Sequence, residues 1–317
     1  MASGPAREPA LALRAQSLSK RFGDIDALRA LSFSVRRGEV YGLLGPNGAG
    51  KSTTINILSG VMAADGGTAR IEGHDVASIE AKRTIGVVPQ ELALYAELNA
   101  RENLSFFGRL YGLSGAALRS QIDRTLERVN LASRARDVVG TYSGGMQRRL
   151  NIAAGILHSP TVVLMDEPTV GLDPQSRRNI LDLVRGMAST GAAVVYSTHY
   201  MDEVEQICDR VGIIDHGTLL IEGTVDELRR SVGDRELVTL RGRFDIATSR
   251  AAFEGLAEVE LVKATEDELL LNVAGAAARL HALLGAASRT GEIREVVVNR
   301  QTLESLFIKL TGRELRE

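Results

Sequence analysis

The sequence predicts an α/β protein: a largely parallel, helix-covered sheet followed by a small α+β domain. Three observations predict it. Apolar, strand-like runs such as "EVYGLL", "VVLMDE" and "GAAVVYSTH" alternate with helical stretches, the pattern of parallel strands joined by helices. A glycine-rich segment, "GPNGAGKST" at residues 45–53, joins one such strand to a helix. After residue 234 a second strand–helix pattern starts afresh, and 317 residues suit two cores better than one.

From Leu11 to about Gly73 the chain is strand-rich, with "LALRAQSLSK", "LSFSVRRGEVYGLLG" and "TARIEGHDV" alternating or running apolar and "DGG" at 65–67 forming a turn. "TIGVVPQ" predicts a short buried strand that stops at Pro89. Residues 97–137 have helical periodicity and few β-branched residues. Strands return with "TVVLMDE" (161–167), "GAAVVYSTH" (191–199) and "RVGIIDHGTLLIEG" (210–223), the helix "SRRNILDLVRGMAS" separating the first two. Beyond "GTVDELRRSVGD" the pattern predicts strand 236–242, helix 247–256, strands 258–264 and 268–273, helix 274–288, strand 293–299 and helix 302–312. That order is the split β-α-β of a ferredoxin-like domain. The expected organisation is therefore a tail over 1–10, a main domain over 11–225 with a helical subdomain at about 91–158, a linker over 226–235 and an accessory domain over 236–317.

Composition narrows the function. With 38 basic and 40 acidic residues, no broad attraction to nucleic acid is expected. Cys208 is the single cysteine, so no intrachain disulfide forms, in keeping with a reducing compartment. The most apolar stretch, "LLLNVAGAAARLHALLGAAS", is broken by Asn272, Arg279 and His281 and does not make a membrane span, which needs about 18 uncharged apolar residues. "MASGPAREPA" lacks the basic and apolar regions of a secretory signal. The chain is expected to be soluble by itself, with docking onto a membrane protein still open to it.

In "GPNGAGKST", Gly45, Gly50, Lys51 and Ser52 fit G-x-x-x-x-G-K-[ST], with a strand before and a helix after. Glycines allow the tight turn and the close approach of backbone N–H groups to an anion. The following helix adds its positive end. Lys51 would reach the outer phosphates of a nucleoside triphosphate, and the Ser52 hydroxyl would ligate Mg²⁺. "VVLMDEP" ends an apolar strand in Asp166 and Glu167; one carboxylate can hold Mg²⁺ while the next orients and deprotonates the attacking water. Alone, this pair could equally be the solvated tip of a buried strand. In "YSGGMQRRL", Ser143, Gly144 and Gly145 precede a second helix and offer a second phosphate-binding element, or Ser143 merely caps that helix. The phosphate loop by itself leaves kinases, GTPases and motor ATPases open.

Together these stretches resemble the nucleotide-binding subunit of ATP-binding cassette (ABC) transporters, over residues of about 10–225. "GPNGAGKST" is similar to the family's Walker A, "VVLMDEP" to Walker B and "YSGGMQ" to the signature, with Tyr142 where leucine is commoner and Met146 where glutamine is. The resemblance implies a phosphate-loop NTPase core with a helical and an antiparallel β subdomain. It implies that Gly45, Pro46, Asn47, Gly48, Ala49, Gly50, Lys51, Ser52 and Thr53 hold the phosphates of ATP. Phe22 would stack on adenine. Gln90 would contact Mg²⁺ together with Ser52 and Asp166, Asp173 would form the D-loop, and His199 would sense the γ-phosphate. Glu167, His199 and Lys51 are the expected catalytic residues. His74, His158, His216, His281 and Cys208 show no ligand spacing and receive no role.

The resemblance further implies a head-to-tail pair of copies, each ATP lying between Walker A of one and Ser143–Gly145 of the other. "PQELALYAELNARENLSFFGRLYGL" and "TLESLFIKLTGREL" are similar to ATPases of ABC-2 type exporters, the group that includes drug and antibiotic-resistance exporters. An export ATPase on the cytoplasmic face of the membrane, bound to a separately encoded permease, is therefore expected. The alternative of an importer ATPase stays open, but a sugar importer of this type would be expected to carry a β-barrel regulatory domain at the carboxy end. A soluble ABC protein acting on ribosomes or DNA would be expected to have two cassettes, a long coiled coil or zinc-binding cysteines.

Overall fold

A computed structural model describes residues 11–231, 235–299 and 303–311; the tail expected over 1–10 lies outside them. The described chain divides into two compact units, one ending at Glu222 and one beginning at Gly223.

In the first unit, strands β1 (Leu11–Phe22) and β2 (Ile25–Arg36) form a long hairpin about a turn at Gly23, whose φ of 56° favours glycine. Then come β3 (Val40–Leu44), the glycine loop, α1 (Lys51–Leu58), β4 (Gly66–Ile71), the short β5 (His74–Asp75), α2 (Ile79–Thr84) and β6 (Ile85–Val88). Three helices follow: α3 (Ala100–Leu110), α4 (Gly115–Arg128) and α5 (Gly144–Ile156). They fall within the stretch expected as a helical subdomain. A reciprocal cap between Asn99 and Glu102 starts α3. The unit closes with β7 (Val162–Asp166), α6 (Pro174–Ser189), β8 (Ala193–Thr198), α7 (Met201–Ile207), β9 (Arg210–Asp215) and β10 (Thr218–Thr224).

Two sheets result. β2-β1-β4-β5 is antiparallel, and the larger sheet runs β10-β9-β3-β8-β7-β6. In the larger sheet β9, β3, β8, β7 and β6 pair in parallel. Every residue of β3, β7 and β8 is buried, which explains why these strands read as continuous apolar runs instead of alternating ones. A shared core joins Leu13, Leu18 and Leu31 of the antiparallel sheet to Ile55, Leu58, Leu164 and Val195. The carboxyl ends of β3, β7 and β8 therefore open on one edge, where parallel sheets bind their ligands.

The second unit starts with α8 (Val225–Ser231). The stretch expected as a linker over 226–235 is thus mostly helical, apart from residues 232–234, which lie outside the described residues. The cause is a capping box: the Thr224 amide donates to the Glu227 carboxylate at 2.8 Å, and the Glu227 amide donates to the Thr224 hydroxyl at 3.2 Å. β11 (Arg235–Phe244), α9 (Ile246–Phe253), β12 (Val259–Ala264), β13 (Glu268–Ala274), α10 (Ala276–Ala287), β14 (Gly291–Asn299) and α11 (Leu303–Thr311) follow. The sheet order is β12-β13-β11-β14, all antiparallel, the ferredoxin-like order. One face packs Val238, Leu240, Leu271 and Val273 against α9 and α10, with Phe253, Leu283 and Ala287 in the same core. Ile308 of α11 joins Leu237 and Leu270 in a separate cluster.

Candidate active site

The phosphate loop is shaped by what surrounds its glycines. A Cβ on Gly45 would lie 2.3 Å from the Ile214 carbonyl, and one on Gly50, whose φ is 105°, 2.6 Å from the Ala27 carbonyl. Gly48 has φ 78° and faces open space. The turn is tied down by the Ala49 amide, which donates to the Pro46 carbonyl at 3.2 Å, and by the Gly217 amide, which donates to the Ala49 carbonyl at 2.9 Å. Lys51 begins α1 and is only 4% exposed. Its ammonium reaches back to donate to the carbonyls of Gly45 (2.7 Å) and Pro46 (2.9 Å), and pairs with Glu167 Oε1 at 3.0 Å.

The two carboxylates stand at the tip of β7. Asp166 is in register with Ser197 of β8, and the Ser197 hydroxyl donates to Asp166 Oδ1 at 2.7 Å. The same hydroxyl accepts from the Glu167 amide at 3.0 Å. Glu167 has φ 45°, a left-handed backbone that is rare without glycine and typical of functional turns. It turns the carboxylate toward Lys51 on one side and His199 on the other, where Nδ1 lies 3.3 Å from Oε2.

A cleft of about 730 Å³ opens here. Its walls include Asn47, Gly48, Gly50, Lys51, Ser52, Thr53, Gln90, Glu167 and His199, so the fold brings half of the expected site residues onto one cleft. Beside Gln90, the Pro89 carbonyl accepts from Arg148 of α5 at 3.1 Å, and Asn151 accepts from the Ala93 amide at 3.0 Å. Neither support was evident in the sequence, because only the fold brings α5 against this loop.

Other expected residues stand elsewhere. Phe22 is exposed at the end of β1, with the Lys20 ammonium 5.6 Å from its ring centre; the cleft wall is formed by its neighbours Asp24, Ile25, Asp26 and Ala27. His216, given no role by spacing, also lines the cleft. Asp166 is buried and lies behind the wall. Ser143 caps α5 by accepting from the Met146 amide at 3.3 Å. Gly144 is open, whereas a Cβ on Gly145 would stand 2.2 Å from the Ser176 hydroxyl. Asp173 caps α6, accepting from the amides of Gln175 and Ser176 at 3.0 Å each. Hydrogen bonds from Ser176, side chain first and then backbone, hold its carboxyl below the usual range. Neither the Ser143–Gly145 element nor Asp173 lines the cleft that contains Lys51.

Donor chemistry fits a small hard cation. Among the described residues no three His, Cys, Asp or Glu side chains gather into a metal cluster. Ser52 and Gln90 nevertheless line the cleft, and each side chain carries an oxygen that can bind such a cation. Mg²⁺ commonly takes few protein oxygens, completing its shell with water and phosphate.

Cys208 lies behind β3, its sulfur 2.8 Å from where a Gly42 Cβ would stand. Burial pushes its thiol far above the usual range. The thiolate is the reactive form. The folded protein is therefore expected to resist alkylation by iodoacetamide at pH 8, and mass spectrometry should find Cys208 modified only after denaturation.

A family model described as "ABC transporter" matches residues 28–170. The chain is 41% identical over 310 residues to the linearmycin resistance ATP-binding protein LnrL of Bacillus subtilis, covering 96% of this chain and 100% of that one. It is 39% identical over 312 residues to the daunorubicin/doxorubicin resistance ATP-binding protein DrrA of Streptomyces peucetius, covering 96% and 94%. It is 37% identical over 309 residues to the Nod factor export ATP-binding protein I of Ralstonia nicotianae, covering 96% and 95%. Among solved structures, an ATP-binding subunit of an ABC transporter superposes with a TM-score of 0.64 at 32% identity, covering 70% of this chain and 93% of that one.

Proposed function

Because this chain belongs to the ABC transporter ATP-binding proteins, we propose that it binds and hydrolyses ATP to power export through a separately encoded membrane permease. The observation that carries this reading is the Glu167 carboxylate, set between Lys51 at 3.0 Å and His199 at 3.3 Å on the cleft of the phosphate loop. It brings a phosphate-holding cation, a base and a second titratable group to one point.

In this reading the backbone of Gly45–Gly50 and the positive end of α1 cradle the phosphates, and the Lys51 ammonium holds the outer ones. Glu167 orients the attacking water and accepts its proton, while His199 contacts the γ-phosphate. Ser52 and Gln90 would hold Mg²⁺, with Asp166 acting through water from behind the cleft wall, and the ion would neutralise phosphate charge. Phe22, beside the cleft wall, would stack on adenine.

ABC ATP-binding subunits work as dimers with a permease. The dimer proposed here is head-to-tail and made of two copies. Ser143 and Gly144 then have a use that their own cleft does not give them, since they meet the γ-phosphate bound by the other copy. The permease would dock beside the Gln90 loop, where Leu92, Tyr95 and Phe106 are 40%, 44% and 40% exposed. The rings of Tyr95 and Phe106 meet edge-on at 5.0 Å. The three relatives are named for linearmycin, daunorubicin/doxorubicin and Nod factor. The cargo meets the permease, so no residue of this chain selects it. The α/β accessory unit, with its ferredoxin-like order in place of a β-barrel, argues against a sugar importer.

A mixed dimer tests the composite site. Both copies carry Glu167→Gln, so that bound ATP persists; one copy also carries Lys51→Ala and the other Ser143→Arg. If sites are shared, both lesions fall in one site, and the other retains about one ATP per dimer through intact charge-assisted contacts. If each chain completes its own site, none is retained. The control is a homodimer bearing Ser143→Arg, which should hold little; equal retention by the mixed dimer and this control rejects the head-to-tail arrangement.

A further inference from the structure

Glu203 is fully buried, at 0% exposure, on α7 behind the cleft. Its Oε1 accepts from the Thr169 hydroxyl at 2.6 Å, and its Oε2 accepts from the hydroxyls of Tyr196 and Thr198 at 2.9 Å each. The Arg177 Nε lies 3.5 Å from Oε1. A buried carboxylate is costly unless every neighbour compensates it, and here three hydroxyls and a guanidinium converge on it. Burial first, and then the charge of Glu203, hold the Tyr196 phenol well above its usual range, so that it remains a donor.

What these partners belong to gives the cluster its meaning. Thr198 precedes His199, and its hydroxyl also accepts from the Tyr200 amide at 3.0 Å; the knot therefore clamps the backbone on both sides of His199. Thr169 is two residues beyond Glu167, in the loop leading to Asp173. The Leu172 amide donates to the Thr169 carbonyl at 3.2 Å, which carries the restraint along that loop. Arg177 is on α6, the helix that Asp173 caps, and its guanidinium also lies over the Tyr200 ring at 4.5 Å. An apolar side chain would fill the same space without fixing any of these loops. Hydrogen bonds to a charge, by contrast, fix distance and direction.

We infer that Glu203 is a positioning residue for ATP hydrolysis: its carboxylate locks the His199 loop to the Glu167–Asp173 loop, so that turnover depends on it and nucleotide affinity does not. The inference rests on the roles proposed above for Glu167 and His199. In the Glu203→Gln variant, an amide N–H₂ must face hydroxyls that now donate, so the donor pattern around Thr198 and Tyr196 no longer closes. Small displacements of catalytic groups have large effects on rate.

The test uses the full chain with ATP and Mg²⁺, comparing the parent, Glu203→Gln, Thr198→Val and the double variant. Glu203→Gln is expected to lower kcat by about tenfold to a hundredfold, displaced groups being able to cost that much. KM and the Kd of a fluorescent ATP analogue should stay within about twofold of the parent, since no phosphate contact is touched. Thr198→Val should lower kcat in the same way, and the double variant should fall little further, because both lesions break one network. The inference is overturned if folded Glu203→Gln keeps kcat within twofold of the parent, or if its affinity falls as much as its rate. Should Glu203→Gln fail to fold, Thr198→Val and Thr169→Val, each deleting one hydroxyl, decide the matter by the same criteria. A parent without ATPase activity would refute the proposed function itself. An active parent whose Glu167→Gln variant is inactive, with Glu203→Gln unimpaired, would refute only the positioning role.

Discussion

Replacing Glu167 with glutamine is expected to leave ATP bound while lowering turnover by about 10²–10⁴-fold, the usual contribution of a positioned general base. The amide keeps the side-chain shape and can still accept from Lys51, 3.0 Å away. It does not touch Asp166, whose bond from Ser197 at 2.7 Å is independent of it. What disappears is the capacity to take a proton from water. Steady-state phosphate release measures the loss, and size-exclusion chromatography with ATP should show the variant as a persistent dimer. Hydrolysis at the parental rate would withdraw the base from Glu167.

Lys51→Ala should act in the opposite way on binding. Its ammonium has three N–H donors, and they are directed at two phosphate-loop carbonyls and at Glu167. Truncation removes the main positive charge for the outer phosphates and leaves a buried carboxylate without its cation. Hydrogen bonds to charged groups contribute about 1.5–3 kcal/mol each, so nucleotide affinity should fall at least about tenfold, with turnover lost beyond detection. Titration with a fluorescent ATP analogue separates the two variants: Glu167→Gln binds as the parent does and Lys51→Ala binds at least about tenfold more weakly. Unchanged affinity with near-normal turnover in Lys51→Ala would remove the site from this loop.

Much of this was legible in the chain. β3, β7 and β8 were readable because both faces are buried, and the accessory unit because its elements keep clean periods. The phosphate loop was legible because its glycines are imposed by local contacts, as at Gly45 and Gly50. What depends on strand order was not. Ser197 meets Asp166 only because β7 and β8 are neighbours in register, a fact that no local pattern encodes. No local pattern singles out Glu203, and only the fold buries it. The helix α8 stands where a linker was expected, although T-x-x-E at 224–227 is the signature of a helix start.

The buried thiol has a practical consequence for spectroscopy. Since the chain's single cysteine is sealed behind β3, the natural sequence already serves as an unreactive background. One cysteine placed at an exposed point, such as Val61→Cys at a position 79% exposed, would take a spin label there and nowhere else. Pulsed electron resonance on that single labelled species would then report only distances between copies, so that pairing on addition of ATP appears as a new peak in a distance distribution that is otherwise blank.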